Sequence, residues 1–465
     1  MAEIMPDIFA TWPWQHWLKE RPSAVALSFD DQQFSWAELS ARAEEYAQGL
    51  IEQGVKRDQL VAVIAPNSVS VLWLLLATLR VGARFVGLNP RASQAEINEQ
   101  LAQLQPDYVW YPAKTELTLD VAPRLHLLPP EHARLVPVTW QPTRAATLTL
   151  TSGSTGVPKA VVHSAHTHLA SAAGLLEWFE FSAEDSWLLS LPIFHISGMA
   201  IIWRWLYRGA QLTVCSPHQF SEALQTVTHA SLVPTQLQRV LESDSVSSLS
   251  LKRVLLGGAM IPSSLTQQAS ERGIECWSGY GMTEMASTVT AKLANGSEGV
   301  GAVLPYREVT LKDGEVMVRG AALCLGYYRN KTIFPVSEHE WFATKDLACW
   351  QDEELHIQGR ADHMFISGGE NVQPEDIEKV LLAHPSVTQA FVLPQSDPEF
   401  GQRPVAIIDT EAELDEALIM QLSAYMKQHV AAFKRPIRYI CLPIALQGNG
   451  IKVSRHALTE WLAQA

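Results

Sequence analysis

QLVAVIAPNSVSVLWLLLATLRVGARFVGLNP, residues 59–90, sets the fold class of this chain. QLVAVIAP (59–66) is a short, β-branched apolar run and predicts a buried strand. Ser68–Val81 predicts a helix, and ARFVGLNP (83–90) the next strand. Upstream, Leu39, Ala43, Tyr46, Ala47 and Leu50 recur at helical spacing between Trp36 and Gly54, where the glycine closes the element. Downstream, a helix over Ala95–Leu104 leads into DYVWYP. Strands alternating with helices imply a parallel, doubly wound sheet.

The same habit returns between 144 and 360, with ATLTLTS, SWLLSLP, QLTVCS, HASLVP and LKRVLLGG as strands. The texture changes after residue 300. EVTLKDGEVMVRG predicts an antiparallel hairpin turning at Asp313–Gly314. ELHIQGR closes that region. We place a domain boundary there, between a 1–361 domain of α/β class with an added β subdomain and a small α+β domain over 362–465. The small domain is expected to carry helices at 374–383 and 414–429 and strands around 389–394 and 404–409.

At 465 residues, 47% of them hydrophobic and 18% charged, the chain can bury a large core and is not disordered. Its net charge of -14 repels polyanions, so no nucleic-acid partner is expected, and anionic ligands need local binding features. Cys215, Cys276, Cys324, Cys349 and Cys441 form no C-x-x-C pair, which argues against a zinc site and fits a reducing cytoplasm. Cys276 reads as a packed core thiol. No signal peptide is visible, and Val71–Leu79 is about half of a membrane span. Stable membrane insertion is therefore not expected, and self-association stays open. HSAHTH (163–168) has irregular spacing for zinc and no acidic or thiol partner nearby.

TSGSTGVPK (151–159) follows the strand-like run TLTL. Thr151, Ser152, Ser154 and Thr155 add hydroxyl donors, Gly153 and Gly156 let backbone N–H groups approach phosphate, and Lys159 supplies a cation. Pro158 before the lysine separates this loop from a Walker loop. The string closely resembles the phosphate loop of the acyl-adenylate-forming superfamily, which includes acyl- and aryl-CoA ligases, peptide-synthetase adenylation domains and firefly luciferase. Six more of that superfamily's motifs follow in order: LPIFHISG (191–198), LLGGAMIP (255–262), YGMTE (280–284), WFATKDL (341–347), GRADHMFISGGENVQPEDIE (359–378) and GNGIKVSR (448–455). Lys345 departs from the usual T-G-D, and Ile451 from the usual G-K.

The resemblance implies ATP, Mg²⁺ and coenzyme A as reaction partners and a two-step ligation through an acyl-adenylate. By the same resemblance, Gly257, Gly258 and Ala259 face adenine, and Gly281 and Thr283 face phosphate. Glu284 is the Mg²⁺ ligand, a hard oxygen donor for a hard cation. Asp346 and Arg360 meet the ribose. Lys452 bridges carboxylate and phosphate in the adenylation transition state. Asp362 is the hinge about which a mobile small domain turns between the two steps, and Gly368 and Gly369 line the pantetheine path.

No acid stands near His195 in the acyl-site motif, so an amino-acid substrate is not expected. His195 is expected to gate or line the acyl tunnel. Ser197 is expected to cap a helix that runs through Met199–Leu206 to Gly209, with Arg208 solvated near its C-terminal end. Arg204, between Trp203 and Trp205, lies inside that helix. A buried arginine needs an internal acid or a ligand carboxylate. If it faces the pocket, the substrate is a diacid, with Ser197 and Gly258 also lining the acyl site. WPWQHW, WQPTR and LVPTQL (232–237) narrow the resemblance to bacterial CoA ligases of menaquinone biosynthesis, whose substrate is an aromatic dicarboxylate. Two other readings compete: a carrier-loading adenylation enzyme and a non-catalytic adenylate-binding protein. The lack of a G-x-D-S segment disfavours the first. The intact set Lys159, Thr283, Glu284, Asp346 and Lys452 disfavours the second.

Overall fold

The computed structural model describes residues 9–464 apart from 116, 118, 120, 130–137, 152–157, 243–249, 258–260, 295, 298, 337–339, 368–369, 399 and 448–452. The chain packs as two units. One gathers the described residues up to 151 with 158–309 and 318–342. The other gathers 310–317 with 343–465.

Two sheets organise the first unit. In the seven-stranded sheet the order is Thr332–Pro335, Gly326–Arg329, Lys159–Ser164, Ala145–Thr151, Arg84–Leu88, Leu60–Ile64, Tyr108–Trp110. The 59–90 reading holds: Leu60–Ile64 and Arg84–Leu88 pair in parallel, linked by the Val69–Val81 helix. Ser68 accepts from the Val71 N–H at its start, and Gly82 closes it at φ 76°. Residues 71–81 of that helix are all buried, as an apolar run too short for a membrane requires. The nine-stranded sheet has a parallel centre running from Glu275–Ser278 to Val25–Phe29, with antiparallel pairs at both ends.

The expected parallel winding therefore covers the centre of the nine-stranded sheet and one half of the seven-stranded sheet, from Ala145–Thr151 to the edge strand Tyr108–Trp110. Ala145–Thr151 pairs antiparallel with Lys159–Ser164. A short connection can reverse a strand, whereas a parallel partner needs a long crossover. The turn from Phe29 to Gln32, which joins two strands of the large sheet, carries Asp30 at φ 49°. Sequence reading passed over this hairpin. The Trp36–Glu52 helix that follows starts with a reciprocal capping box between Ser35 and Glu38.

A four-stranded sheet takes the order Arg307–Lys312, Glu315–Gly320, Phe342–Gln351, Glu354–Arg360. Asp313 (φ 53°) and Gly314 (φ 83°) supply the left-handed turn between the first two strands, as expected of D-G. In the second unit, Val387–Asp397 and Gly401–Thr410 form a long antiparallel pair covered by the Pro374–Leu382 and Glu416–His429 helices. Arg438–Cys441 adds in parallel to Gly401–Thr410. Among the described residues no helix is long and apolar enough to cross a membrane.

Candidate active site

The YGMTE motif folds into a tight hairpin. Gly281 pairs with Thr288 and Met282 with Ser287. A Cβ on Gly281 would stand 2.1 Å from the Ser287 carbonyl oxygen, so only glycine fits there. Thr283–Met285 forms the turn at the hairpin's tip, and Ala286 follows at φ 51°.

Two other motifs converge on this hairpin. The Gly326–Arg329 strand lies antiparallel to the phosphate-loop strand Lys159–Ser164, with Tyr327 opposite Val161. The Tyr327 hydroxyl donates to Glu284 Oε1 at 2.9 Å, and Lys159 Nζ sits 5.6 Å from the Tyr327 ring centroid. Burial, and then the Glu284 charge, push the Tyr327 phenol far above its ordinary range, so it stays a donor. Tyr327 thus joins Lys159 to Glu284. Sequence reading missed it, because GYYR looks like an ordinary strand. Its only signal is the register that sets it across from the residues after Lys159.

Among the described residues no three His, Cys, Asp or Glu side chains group as a metal cage. A lone hard carboxylate steered by a tyrosine suits Mg²⁺, which keeps waters and takes substrate phosphates as ligands. Zinc, which needs three or four protein ligands, finds no such set among the described residues.

The acyl-site motif leads into the Ile196–Arg208 helix. Its N-cap is His195, not Ser197, and no side chain caps it; Ser197 lies half-buried in the first turn. His195 holds an extended φ, -107°, with its ring 4.7 Å from Phe194, and burial lowers its pKa, which keeps it neutral. Gly209 closes the helix at φ 65° as expected. Arg208 is not simply solvated. It is half-buried, and Nη2 donates to the Leu176 carbonyl at 2.7 Å.

Arg204 is 2% exposed. Nη2 lies 3.4 Å from Ser287 Oγ and 3.3 Å from Thr288 Oγ1, the strand just past Glu284, and the guanidinium sits over the Trp187 ring at 5.4 Å. Nε has no hydrogen-bond partner among the described residues, and no described carboxylate pairs with Arg204. Burial, and then the charge of buried Arg307, push Arg204 down to about 9. The flanking tryptophans anchor the helix: Trp203 stacks on His168 at 5.0 Å and Trp205 on Trp36 at 5.3 Å. His168 Nε2 meets Thr147 Oγ1 at 2.7 Å. His163 is fully buried and pushed down to about 4 by desolvation, and neither ring nitrogen has a hydrogen-bond partner among the described residues. The HSAHTH histidines His163 and His168 are therefore core imidazoles.

In the second unit, Asp346 and Arg360 face each other across the Phe342–Gln351 and Glu354–Arg360 ladder. Arg360 Nη1 donates to Asp346 Oδ1 at 3.0 Å, and Nε and Nη2 reach Asp362 at 2.9 and 3.2 Å. Lys345, where the superfamily usually has glycine, holds φ 65° and places Nζ 3.7 Å from Asp362 Oδ2. The departure thus keeps the left-handed backbone that glycine would allow. It also adds a cation beside Asp362. Thr151 and Gly257 are described at their strand ends. Ser152, Gly153, Ser154, Thr155, Gly156, Gly258, Ala259, Gly368, Gly369 and Lys452 lie outside the described residues.

The AMP-binding enzyme family model matches residues 14–328, and the AMP-binding enzyme C-terminal domain model matches 376–449. The 2-succinylbenzoate--CoA ligase of Escherichia coli strain K12 is 46% identical over 456 residues, 98% of this chain and 99% of that protein. A lysine-for-arginine variant of E. coli MenE with bound OSB-AMS gives a TM-score of 0.89 at 45% identity, covering 99% of this chain and 100% of that one. Bacillus subtilis MenE in complex with ATP and magnesium ion gives 0.81 at 26% identity, covering 93% and 95%. With its motifs in order and the family model spanning most of its length, the chain belongs to the AMP-binding enzyme family.

Proposed function

We infer that this chain ligates 2-succinylbenzoate to coenzyme A in an ATP-dependent reaction of menaquinone biosynthesis, giving 2-succinylbenzoyl-CoA, AMP and diphosphate. A substrate carboxylate oxygen attacks the α-phosphorus of ATP and diphosphate leaves. The CoA thiol then attacks the acyl carbon and AMP leaves. Such chemistry asks mainly for positioning and electrostatic stabilisation. Mg²⁺, when bound, offsets phosphate charge, and Glu284 would hold it with Tyr327 fixing the carboxylate.

The observation that carries the acyl specificity is the buried Arg204, which lacks a described carboxylate and sits beside Ser287 and Thr288. A second carboxylate on the substrate supplies that counterion. We assign phosphate contacts to Thr151–Gly156, Lys159, Gly281 and Thr283, adenine contacts to Gly257–Ala259, and ribose contacts to Asp346 and Arg360. His195 and Ser197 border the acyl group. Lys452, on a mobile 362–465 domain hinged at Asp362, serves adenylation, and Gly368 and Gly369 serve CoA. The net charge of -14 argues against a nucleic-acid partner, and five scattered cysteines without a C-x-x-C pair fit a reducing cytoplasm.

The test is diphosphate release with Mg-ATP across a panel of carboxylates, with CoA thioester followed by mass spectrometry. Release and thioester with 2-succinylbenzoate are expected. Turnover only with a monoacid overturns the diacid reading. Diphosphate release without any thioester overturns the ligase.

A further inference from the structure

We propose that Arg307 is a positioning residue that locks the phosphate-binding turn and the acyl-site arginine into one register, coupling diacid recognition to adenylate formation. The proposal rests on the reading of Arg204 as the anchor for the second carboxylate.

The segment joining the two sites is strained. Ala286 and Ser287 hold φ of 51° and 117° without being glycine. Such residues persist only where their surroundings hold them. They directly follow the Thr283–Met285 turn, and they set the Ser287 and Thr288 hydroxyls against Arg204.

Arg307 is the main part of that hold. It is 5% exposed and spends its donors on main-chain carbonyls. Nη1 donates to the Thr288 carbonyl. Nε donates to Pro305 at 3.1 Å, and Nη2 to Ala170 and Ser171 at 3.4 Å each. The Ala165–Leu176 helix makes room for it: a Cβ on Gly174 would stand 2.4 Å from Nη2. From the same helix, Ser171 Oγ donates to the Ala286 carbonyl at 2.9 Å. The strained strand is thus fixed at Ala286 by Ser171 and at Thr288 by Arg307. Its own side chains then meet Arg204. An apolar residue at 307 could fill the space but could not satisfy the Thr288 carbonyl.

The chemistry asks for this coupling. Arg204 fixes one end of the diacid, and the other carboxylate must meet the α-phosphorus beside Thr283. A shift of the turn of about an ångström misplaces both contacts together and can cost ~100-fold in rate.

The experiment compares wild type, Arg307→Lys, Ser171→Ala, Arg204→Lys and the Arg204→Lys/Arg307→Lys double variant. Diphosphate release is measured with 2-succinylbenzoate and with 3-benzoylpropionate, the same acid without its ring carboxylate, and thermal midpoints are recorded. Arg307→Lys is expected to lower kcat for both acids roughly tenfold or more, and to erode the diacid-over-monoacid preference in kcat/KM by about tenfold. Ser171→Ala changes both in the same direction and less, which keeps the test open if the lysine variant fails to fold. The double variant loses less than the product of the single losses. A lowered midpoint with kcat and preference unchanged in both Arg307→Lys and Ser171→Ala makes the residue purely structural and overturns the proposal. Preference lost in Arg204→Lys but kept in Arg307→Lys overturns the proposal and leaves the Arg204 reading standing. Preference kept in Arg204→Lys overturns that reading and this proposal with it.

Discussion

Arg204 shows what one buried charge decides. Removing it should raise KM for the diacid by ~30-fold or more, as expected for a lost charge-assisted pair, with a much smaller effect on a monoacid. Its proton adds a pH signature. Burial, and then Arg307, lower its pKa to about 9, so the free enzyme loses this cation as pH rises through that value. For the diacid, kcat/KM is expected to fall above pH 9 while the monoacid value holds. The sign for folding is opposite. The unfolded arginine binds its proton up to its ordinary value of 12.5, so between about 9 and that value the unfolded state holds more protons, and this group's penalty on folding shrinks as pH rises. Tyr327 gives a second prediction at this scale. Tyr327→Phe should raise the Mg²⁺ concentration for half-maximal diphosphate release several-fold, because Glu284 loses the donor that orients it. An unchanged Mg²⁺ titration would remove Tyr327 from the metal site.

At the scale of elements, the 281–288 hairpin carries the most consequence. Gly281→Ala would force its methyl into the Ser287 carbonyl, so the strand must shift or unpair. We expect a loss of about 2 kcal/mol or more in stability and a larger proportional loss in kcat, read by denaturant unfolding and diphosphate release. What sequence shows at this scale follows from periodicity and turn chemistry. The 59–90 unit and the D-G hairpin were legible because short-range pattern alone fixes them. The antiparallel reversal at Ala145–Ser164 was not, since a hydrophobic run does not state its partner. The cap at His195 instead of Ser197 was missed because hydroxyl preference at helix starts is statistical, and a close turn after Pro192 sets this one. Lys159 and Glu284 could be named from residue type in a motif, and Arg204 as a charge inside an apolar helix. Tyr327 and Arg307 could not, because their contacts depend on strand register and on space beside Gly174.

Across the whole molecule, the two half-reactions make separable demands. Lys452→Ala is expected to abolish adenylate formation and spare thioester formation from supplied acyl-adenylate. Equal loss of both would assign the lysine elsewhere.

The buried guanidinium pair has a consequence beyond catalysis. Arg204 and Arg307 are both protonated at neutral pH, and no described carboxylate stands between them. Among the described residues this interior charge has no carboxylate counterion. On the reading of Arg204 as the anchor, a bound diacid would offset this charge, and its binding energy would add to the free energy of unfolding. A hundredfold excess of ligand over its dissociation constant adds about 2.7 kcal/mol. Cleavage by a protease that acts on the opened chain is expected to slow accordingly. The protein is therefore expected to resist protease longer when the diacid is present than when it is absent, so the supply of substrate would protect the catalyst that consumes it.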